Sequence, residues 1–301
     1  MWCCPTCQLP VNFREASEPW PEGWSCAGCG ERIAHLGGVP CLAPGLVESM
    51  EGFDPALFSV LVNYEQTSFW FTNRARLIIS LLQRHFSTAR AVLEIGCGTG
   101  SVLLELQRSN LNLSLTGSEL HPEGLRYARD RLGPAVALLQ MDARNIPARS
   151  HFDVIGAFDV IEHIAEDDEV LAQMRLALKP NGGAIISVPQ HAWLWSPADE
   201  AAFHQRRYAV GELENKLRAA GFRVLQSASF NAVLIPLMIA SRQLMLLRQR
   251  RGEKVDPLAE FKMPALLNRV LSLALRGEVA LTLRGVNWPV GGSRVVVAQR
   301  M

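Results

Sequence analysis

The chain has 301 residues, 49% hydrophobic and 20% charged, with a formal net charge of +1. Such a length and composition describe a globular protein with a large core, or one domain with a small appendage, and near-neutrality removes any global attraction to nucleic acid. No basic region followed by an apolar stretch and a small-residue cleavage site opens the chain, so no secretory signal is read and a cytoplasmic location is expected.

Six of the seven cysteines fall within the first 41 residues. Cys4-Pro-Thr-Cys7 and Cys26-Ala-Gly-Cys29 form two C-x-x-C knuckles at zinc-ribbon spacing. Each knuckle sets two thiolates on one tight turn, and two turns close a tetrahedron around a structural Zn²⁺ with no open position. The intervening segment carries Pro10, Pro19 and Pro21 and little apolar content, so metal binding is expected to supply its folding free energy. Residues 1–40 are read as a zinc ribbon and 41–55, punctuated by Pro44, Gly45, Gly52 and Pro55, as a linker; the main domain spans 56–301.

Within Tyr64–Phe86 the second half reads as a helix, with Leu77, Ile78, Leu81 and Leu82 as its core stripe. Val92–Gly100, V-L-E-I-G-C-G-T-G, reads as strand, glycine turn and helix start, a place where backbone turns tightly and a polar ligand approaches helix amides. Leu111–Glu119 alternates with period two and ends in an acid. Val136–Pro147 runs from a strand into Asp142, and Val154–Phe158 reads as a buried parallel strand bounded by Asp153 and Asp159. Leu178–Pro189 leads through paired glycines into another buried strand. Phe222–Phe230 and Arg294–Ala298 are expected as the last two strands, the final one antiparallel. Between them residues 231–290 form a helical insertion. Its first part, Ala232–Leu247, is intensely apolar and then basic through Lys254; its second, Ala265–Leu283, is amphipathic.

The glycine spacing and the acids after successive strands resemble class I S-adenosylmethionine (SAM) methyltransferases, in the ubiquinone/menaquinone-type branch, over roughly residues 60–230. The resemblance implies an α/β fold, a Rossmann-like seven-stranded doubly wound sheet, with SAM as cofactor. It implies that Glu94, Gly96, Cys97, Gly98 and Gly100 form the cofactor loop, that Glu119 with Leu120 holds the ribose, that Asp142 with Ala143 holds the adenine, and that Asp159 faces the cleft. It also places Trp70 and Arg74 over the cofactor, the arginine toward the methionine carboxylate. The aromatic-rich run Gln190–Tyr208 matches the substrate loop of such enzymes. His204 is the first candidate for a general base, followed by His191 and His163, since neutral imidazole takes a proton near neutral pH. Trp193, Trp195, Arg206, Arg207 and Tyr208 are expected to grip the acceptor.

The expected reaction is methyl transfer to oxygen or carbon of a small-molecule or lipid-linked acceptor. One alternative is a ribosomal RNA methyltransferase with a zinc ribbon. Against it, residues 1–50 hold only Arg14 and Arg32 as bases, so nucleic acid is not the expected partner. Another is a non-catalytic SAM-binding scaffold that recruits a partner. Residues 241–301 carry eleven basic against four acidic side chains, a surplus suited to peripheral contact with the inner face of an anionic membrane through 232–254. The sequence leaves the oligomeric state open.

Overall fold

The computed structural model describes residues 1–13, 19–47, 53–252 and 263–301. Residues 48–52 of the expected linker, Arg14 and Lys254 lie outside them.

Small strands come first: β1 (Trp2–Cys3), β2 (Pro10–Val11), β3 (Ala34–Leu36) and β4 (Val39–Cys41). Helices α1 (Phe58–Leu61) and α2 (Phe69–His85) lead into an alternating series: β5 (Ala91–Ile95), α3 (Ser101–Arg108), β6 (Ser114–Glu119), α4 (Pro122–Leu132) and β7 (Ala137–Gln140). There follow β8 (Phe152–Phe158), α5 (Asp167–Ala177), β9 (Leu178–Pro189), α6 (Pro197–Ala201), α7 (Glu212–Ala219) and β10 (Phe222–Phe230). The insertion supplies α8 (Ile235–Arg250) and α9 (Ala265–Leu283) before β11 (Ser293–Arg300) closes the chain.

The main sheet runs β10-β11-β9-β8-β5-β6-β7-β4-β3. Pairing is parallel from β9 to β4, because helical crossovers bring the chain back to start each strand at the same end. β11 is antiparallel to both β9 and β10. The sheet therefore has nine strands among the described residues, where seven were expected. The extra two are the β3–β4 hairpin of the N-terminal segment, and β4 joins β7 at Cys41 and Gln140. The expected ribbon–linker boundary at residue 40 falls inside that strand.

Two apolar layers cover the sheet. On one face α2 buries Leu77, Ile78, Leu81 and Leu82 as its periodicity predicts, beside Val102, Leu103 and Leu106 of α3. On the other, Val170, Leu171 and Met174 of α5 and Leu213 and Leu217 of α7 pack against Ile155 and Ile186. The N-terminal segment shares this second layer. Trp2 stacks edge-on to Trp20 and Phe152 with centroids 4.9 and 5.4 Å away, and the Cys3 amide donates to the Pro147 carbonyl at 2.9 Å. Burying a large apolar side chain is worth about 1.5–3 kcal/mol, so the segment is held to the body by packing as well as by its own turns.

The insertion divides in two. α9 lies along α2, burying Leu271, Leu275 and Val279; its Asn268 accepts from the Phe69 amide at 2.8 Å. α8 buries Arg242 and Met245 and leaves Leu237 and Leu244 about half exposed, 46% and 50%.

Candidate active site

The C-terminal ends of β5, β6, β7 and β8 open onto one cavity of about 680 Å³. At its floor the turn after β5 carries three glycines in left-handed backbone. Two of them have no alternative. A Cβ at Gly96 would sit 2.5 Å from the Val160 side chain, and one at Gly100 would meet Leu132 at 2.8 Å. Gly96, Cys97 and Gly98 line the cavity, whereas Gly100 is set back against α4 and starts α3, a packing role in place of the expected cofactor contact. Glu119, at the end of β6, accepts from the Gly98 amide at 3.0 Å and from the His121 amide at 3.1 Å. The second acid is thereby locked to the glycine turn, while each oxygen keeps a lone pair for a ligand hydroxyl.

Glu94 is fully buried beneath the turn with Oε2 unpartnered. Burial pushes its carboxyl up to about 8, against the pull of the Arg74 charge. Burial also raises the Cys97 thiol well above its usual range, so this cysteine is an inert packing group. Leu120, Asp142 and Ala143 line the same wall. Asp142 is held by the Arg144 guanidinium, whose Nε lies 3.1 Å from both carboxylate oxygens.

Trp70 and Arg74 reach the cavity from α2, as expected. The Arg74 guanidinium stacks on Trp70, 4.3 Å from its ring centroid, and forms a close ion pair with Asp159. Asp159 also accepts from the Ser187 hydroxyl at 3.1 Å. Arg74 is therefore engaged by Asp159, and the two expected cofactor contacts form one partly buried pair.

Beyond β9 the expected substrate loop divides. His204, His163 and Arg207 line the cavity. Nδ1 of His204 donates to Asp199 at 2.9 Å. Asp199 is a buried hub that also receives Arg207 at 2.7 Å and Arg242 at 3.1 Å. Burial opposes its ionisation, yet the His204 hydrogen bond and the two arginines hold its carboxyl well below the usual carboxylate range. His163 packs against the His204 ring at 4.8 Å, and burial drives its pKa down to about 3, so it is neutral.

The remaining candidates sit away from the cavity. His191 lies outside the cavity wall and stacks on Trp193, itself 58% exposed; Trp195 is outside as well. Tyr208 is fully buried and donates to Asp167 at 2.6 Å, and Arg206 pairs with the same carboxylate at 2.9 Å. Asp167 starts α5, so these two side chains brace the loop against that helix.

Other cavity residues went unnoticed. Asp199 is the N3 acid of a capping box with Ser196, and S-P-A-D was a local sign of it. Glu65 accepts from Thr99 and pairs with Arg131 at 2.7 Å beside the glycine turn. Leu234 and Met238 bring the start of the insertion to the cavity.

Away from the cavity, the sulfurs of Cys4, Cys7, Cys26 and Cys29 all lie within 4.8 Å of one another, with Cys4–Cys29 at 3.7 Å and Cys7–Cys26 at 3.6 Å. Backbone amides of Cys29 and Gly28 draw the Cys26 thiol down to about 7.

A parallel sheet whose first turn is a glycine cradle, with an acid from the next strand fastened to it, is now in view. Residues 92–182 match the family model described as a methyltransferase domain. A probable S-adenosylmethionine-dependent methyltransferase of Mycolicibacterium smegmatis is 26% identical over 166 residues, 53% of this chain and 61% of that protein. A malonyl-(acyl-carrier protein) O-methyltransferase of Halalkalibacterium halodurans is 34% identical over 104 residues, 33% of this chain and 38% of that protein. The chain thus spans less than two thirds of the length of each of these relatives. The plantazolicin methyltransferase BpumL, solved with SAH, superposes with a TM-score of 0.52 at 17% identity, over 82% of this chain and 90% of that one. The chain thus has the α/β fold of its solved neighbours, with a mostly parallel central sheet.

Proposed function

We propose that the chain is a SAM-dependent methyltransferase acting on oxygen or carbon of a small or lipid-linked acceptor. The observation that carries this reading is the single cavity joining the Glu119–Gly98 contact to the Asp199–His204 pair. SAM, when bound, supplies an electrophilic methyl group. Glu119 would hold its ribose hydroxyls and Asp142 its adenine amino group. Glycine backbone at Gly96 and Gly98 on the cavity wall, and the Glu119 carboxylate beside it, fit such a nucleoside. Trp70 and Phe71 wall off water.

For a hydroxyl acceptor the chain must align the oxygen and take its proton. Asp199 holds the Nδ1 proton of His204, so Nε2 is the lone pair available for that step. Neutral His163 beside it adds no opposing charge.

A lipid-linked acceptor is favoured by α8, which contributes Met238 to the cavity and turns Leu237, Leu244 and Leu247 outward. No helix among the described residues is long and apolar enough to cross a membrane. The association we propose is peripheral, at the inner face, with the protein otherwise cytoplasmic.

The four cysteine sulfurs fit a structural zinc. A Zn–S bond of about 2.3 Å sets tetrahedral sulfurs about 3.8 Å apart, close to the observed pairs.

Incubating the protein with methyl-labelled SAM and separated metabolite and lipid extracts tests the activity. Label in a small or lipid product is expected. SAM binding without label in any extract would favour the scaffold alternative, and label in ribosomal RNA the nucleic-acid one.

A further inference from the structure

Away from the cavity, α2 and α9 enclose a groove of about 600 Å³ whose walls carry three guanidinium groups. Thr72, Arg76 and Ser80 recur every fourth residue on α2, and Arg269, Ser272 and Arg276 follow helical spacing on α9. Residues three and four apart share a helix face, so each helix turns one stripe toward the other.

The two walls are pinned in register. Asn73 is fully buried; its Nδ2 donates to the Ser272 hydroxyl at 3.1 Å, and its Oδ1 accepts from Arg76 at 3.2 Å. Near the start of α2, Asn268 accepts from the Phe69 amide and donates to the Thr67 carbonyl, each at 2.8 Å. One buried amide thus orients donors on both walls. The Ser272 hydroxyl, having accepted, keeps its own proton for a ligand.

The charges in the groove do not balance. Among the described residues no carboxylate pairs with Arg76, Arg269 or Arg276, and Glu105, the acid on the wall, is paired with Arg108 at 2.9 Å. Arg126 and Arg144, by contrast, each have an acid within 3.1 Å. Burial and the facing Arg276 charge together draw the Arg76 guanidinium below its ordinary value. Like charges set opposite one another oppose the packing of the two helices, and converging guanidinium forks are the donor set that grips phosphate oxygens.

We infer that the groove between α2 and α9 binds a phosphate group, with Arg76, Arg269 and Arg276 as its charge partners and Ser272 as a further donor. A lipid headgroup and a soluble phosphoryl compound share this chemistry. Leu266, Val270 and Leu273 of α9 are exposed alongside the arginines, an apolar and basic surface that suits a headgroup in an anionic bilayer. The groove shares no lining residue with the cavity, so this site does not rest on the methyl-transfer reading.

The test titrates full-length protein with inorganic phosphate at constant ionic strength in chloride, following the arginine Nε–H signals by NMR. The signals of Arg76, Arg269 and Arg276 should shift together and saturate, ahead of those of Arg126 and Arg250. Replacing Arg269 and Arg276 together with Gln should weaken phosphate binding roughly tenfold or more. Phosphate should raise the melting temperature of the wild type and leave that of the variant unchanged. Sedimentation with phosphatidylglycerol vesicles separates the two sources. Binding that is lost in the variant and competed by inorganic phosphate assigns a headgroup; vesicle binding that is absent or indifferent to the variant assigns a soluble phosphoryl compound. Vesicle binding that needs Arg269 and Arg276 yet survives Arg250→Glu with Arg251→Glu would keep the groove and sink the role proposed for α8. A response to phosphate no greater than that to chloride, shifts spread over the arginines at large, or unchanged affinity in the folded variant would overturn the site. The wild-type titration decides the matter alone if the variant does not fold.

Discussion

Nδ1 of His204 lies 2.9 Å from Oδ1 of Asp199, and the same carboxylate receives Arg207 and Arg242. One acid thus orients a cavity histidine and ties it to α8, the helix that carries Arg242. Replacing His204 with Gln should lower turnover by about 10²–10⁴-fold, the usual range for a lost proton-transfer group. SAM affinity should persist, because the glycine turn is a separate part of the cavity. Steady-state rates and calorimetry on one preparation check both halves; a variant with wild-type turnover removes His204 from the chemistry.

Glu119→Ala should weaken SAM binding by about 1.5–3 kcal/mol, the value of hydrogen bonds to a charged group. It also frees the Gly98 amide, so some of the loss will come from a looser turn. Unchanged affinity in calorimetry would take Glu119 out of the site.

Glu94 makes stability depend on pH. Its ordinary value is 4.5, and in the folded chain it is about 8. The folded state therefore holds this proton longer than the unfolded one. The resulting stabilisation is complete below the unfolded value and is lost as pH rises toward the folded one, by about 1.4 kcal/mol per unit. Urea denaturation at pH 5.5 and 7.5 should show the wild type losing more stability across this interval than Glu94→Gln, whose neutral amide cannot titrate. Equal pH slopes would contradict the assignment.

Removing metal from the cysteine cluster, by chelator or by Cys26→Ser, should lower the melting temperature of the whole chain in one transition. Trp2 and Trp20 pack in the layer that contains Phe152, so the segment does not melt alone. Losing that packing costs on the order of 3 kcal/mol, which is roughly 5 °C for a protein of this size. Two well-separated transitions in calorimetry, or metal analysis finding no zinc, would refute the account.

Vesicle sedimentation tests the outer face of α8. Binding to anionic vesicles is expected, weakened by salt and by Arg250→Glu with Arg251→Glu, at about 1 kcal/mol per charge. Absent or salt-indifferent binding would leave α8 a surface helix with no electrostatic role at a membrane.

The glycine turn, Glu119 and Asp142 were legible in the sequence because each sits at the end of a strand whose pattern is local. Both insertion helices were legible for the same reason, by their apolar spacing. The acceptor side was harder. Trp193 and Tyr208 have the composition of binding residues, yet one faces solvent and the other is core, a distinction set by α5 and its Asp167 across the fold. Asp199 resembles an ordinary helix cap and is one, while also holding His204 and two arginines. The β3–β4 hairpin escaped notice because residues 1–40 read as a ribbon and 41–55 as a linker; its place in the main sheet comes from pairing with β7, about 100 residues later.

That hairpin has a further consequence for solubility. Without it β7, a fully buried apolar strand, would end the sheet with its peptide groups open to any passing chain. With it the sheet ends in β3, three residues long, with a half-buried histidine between two exposed residues, a poor template for intermolecular pairing. The hairpin follows directly on the second cysteine knuckle. Oxidation of the thiols would loosen that cover and leave β7 open to pairing with other chains. The state of four cysteines at one end of the chain would then govern how long the protein stays dispersed.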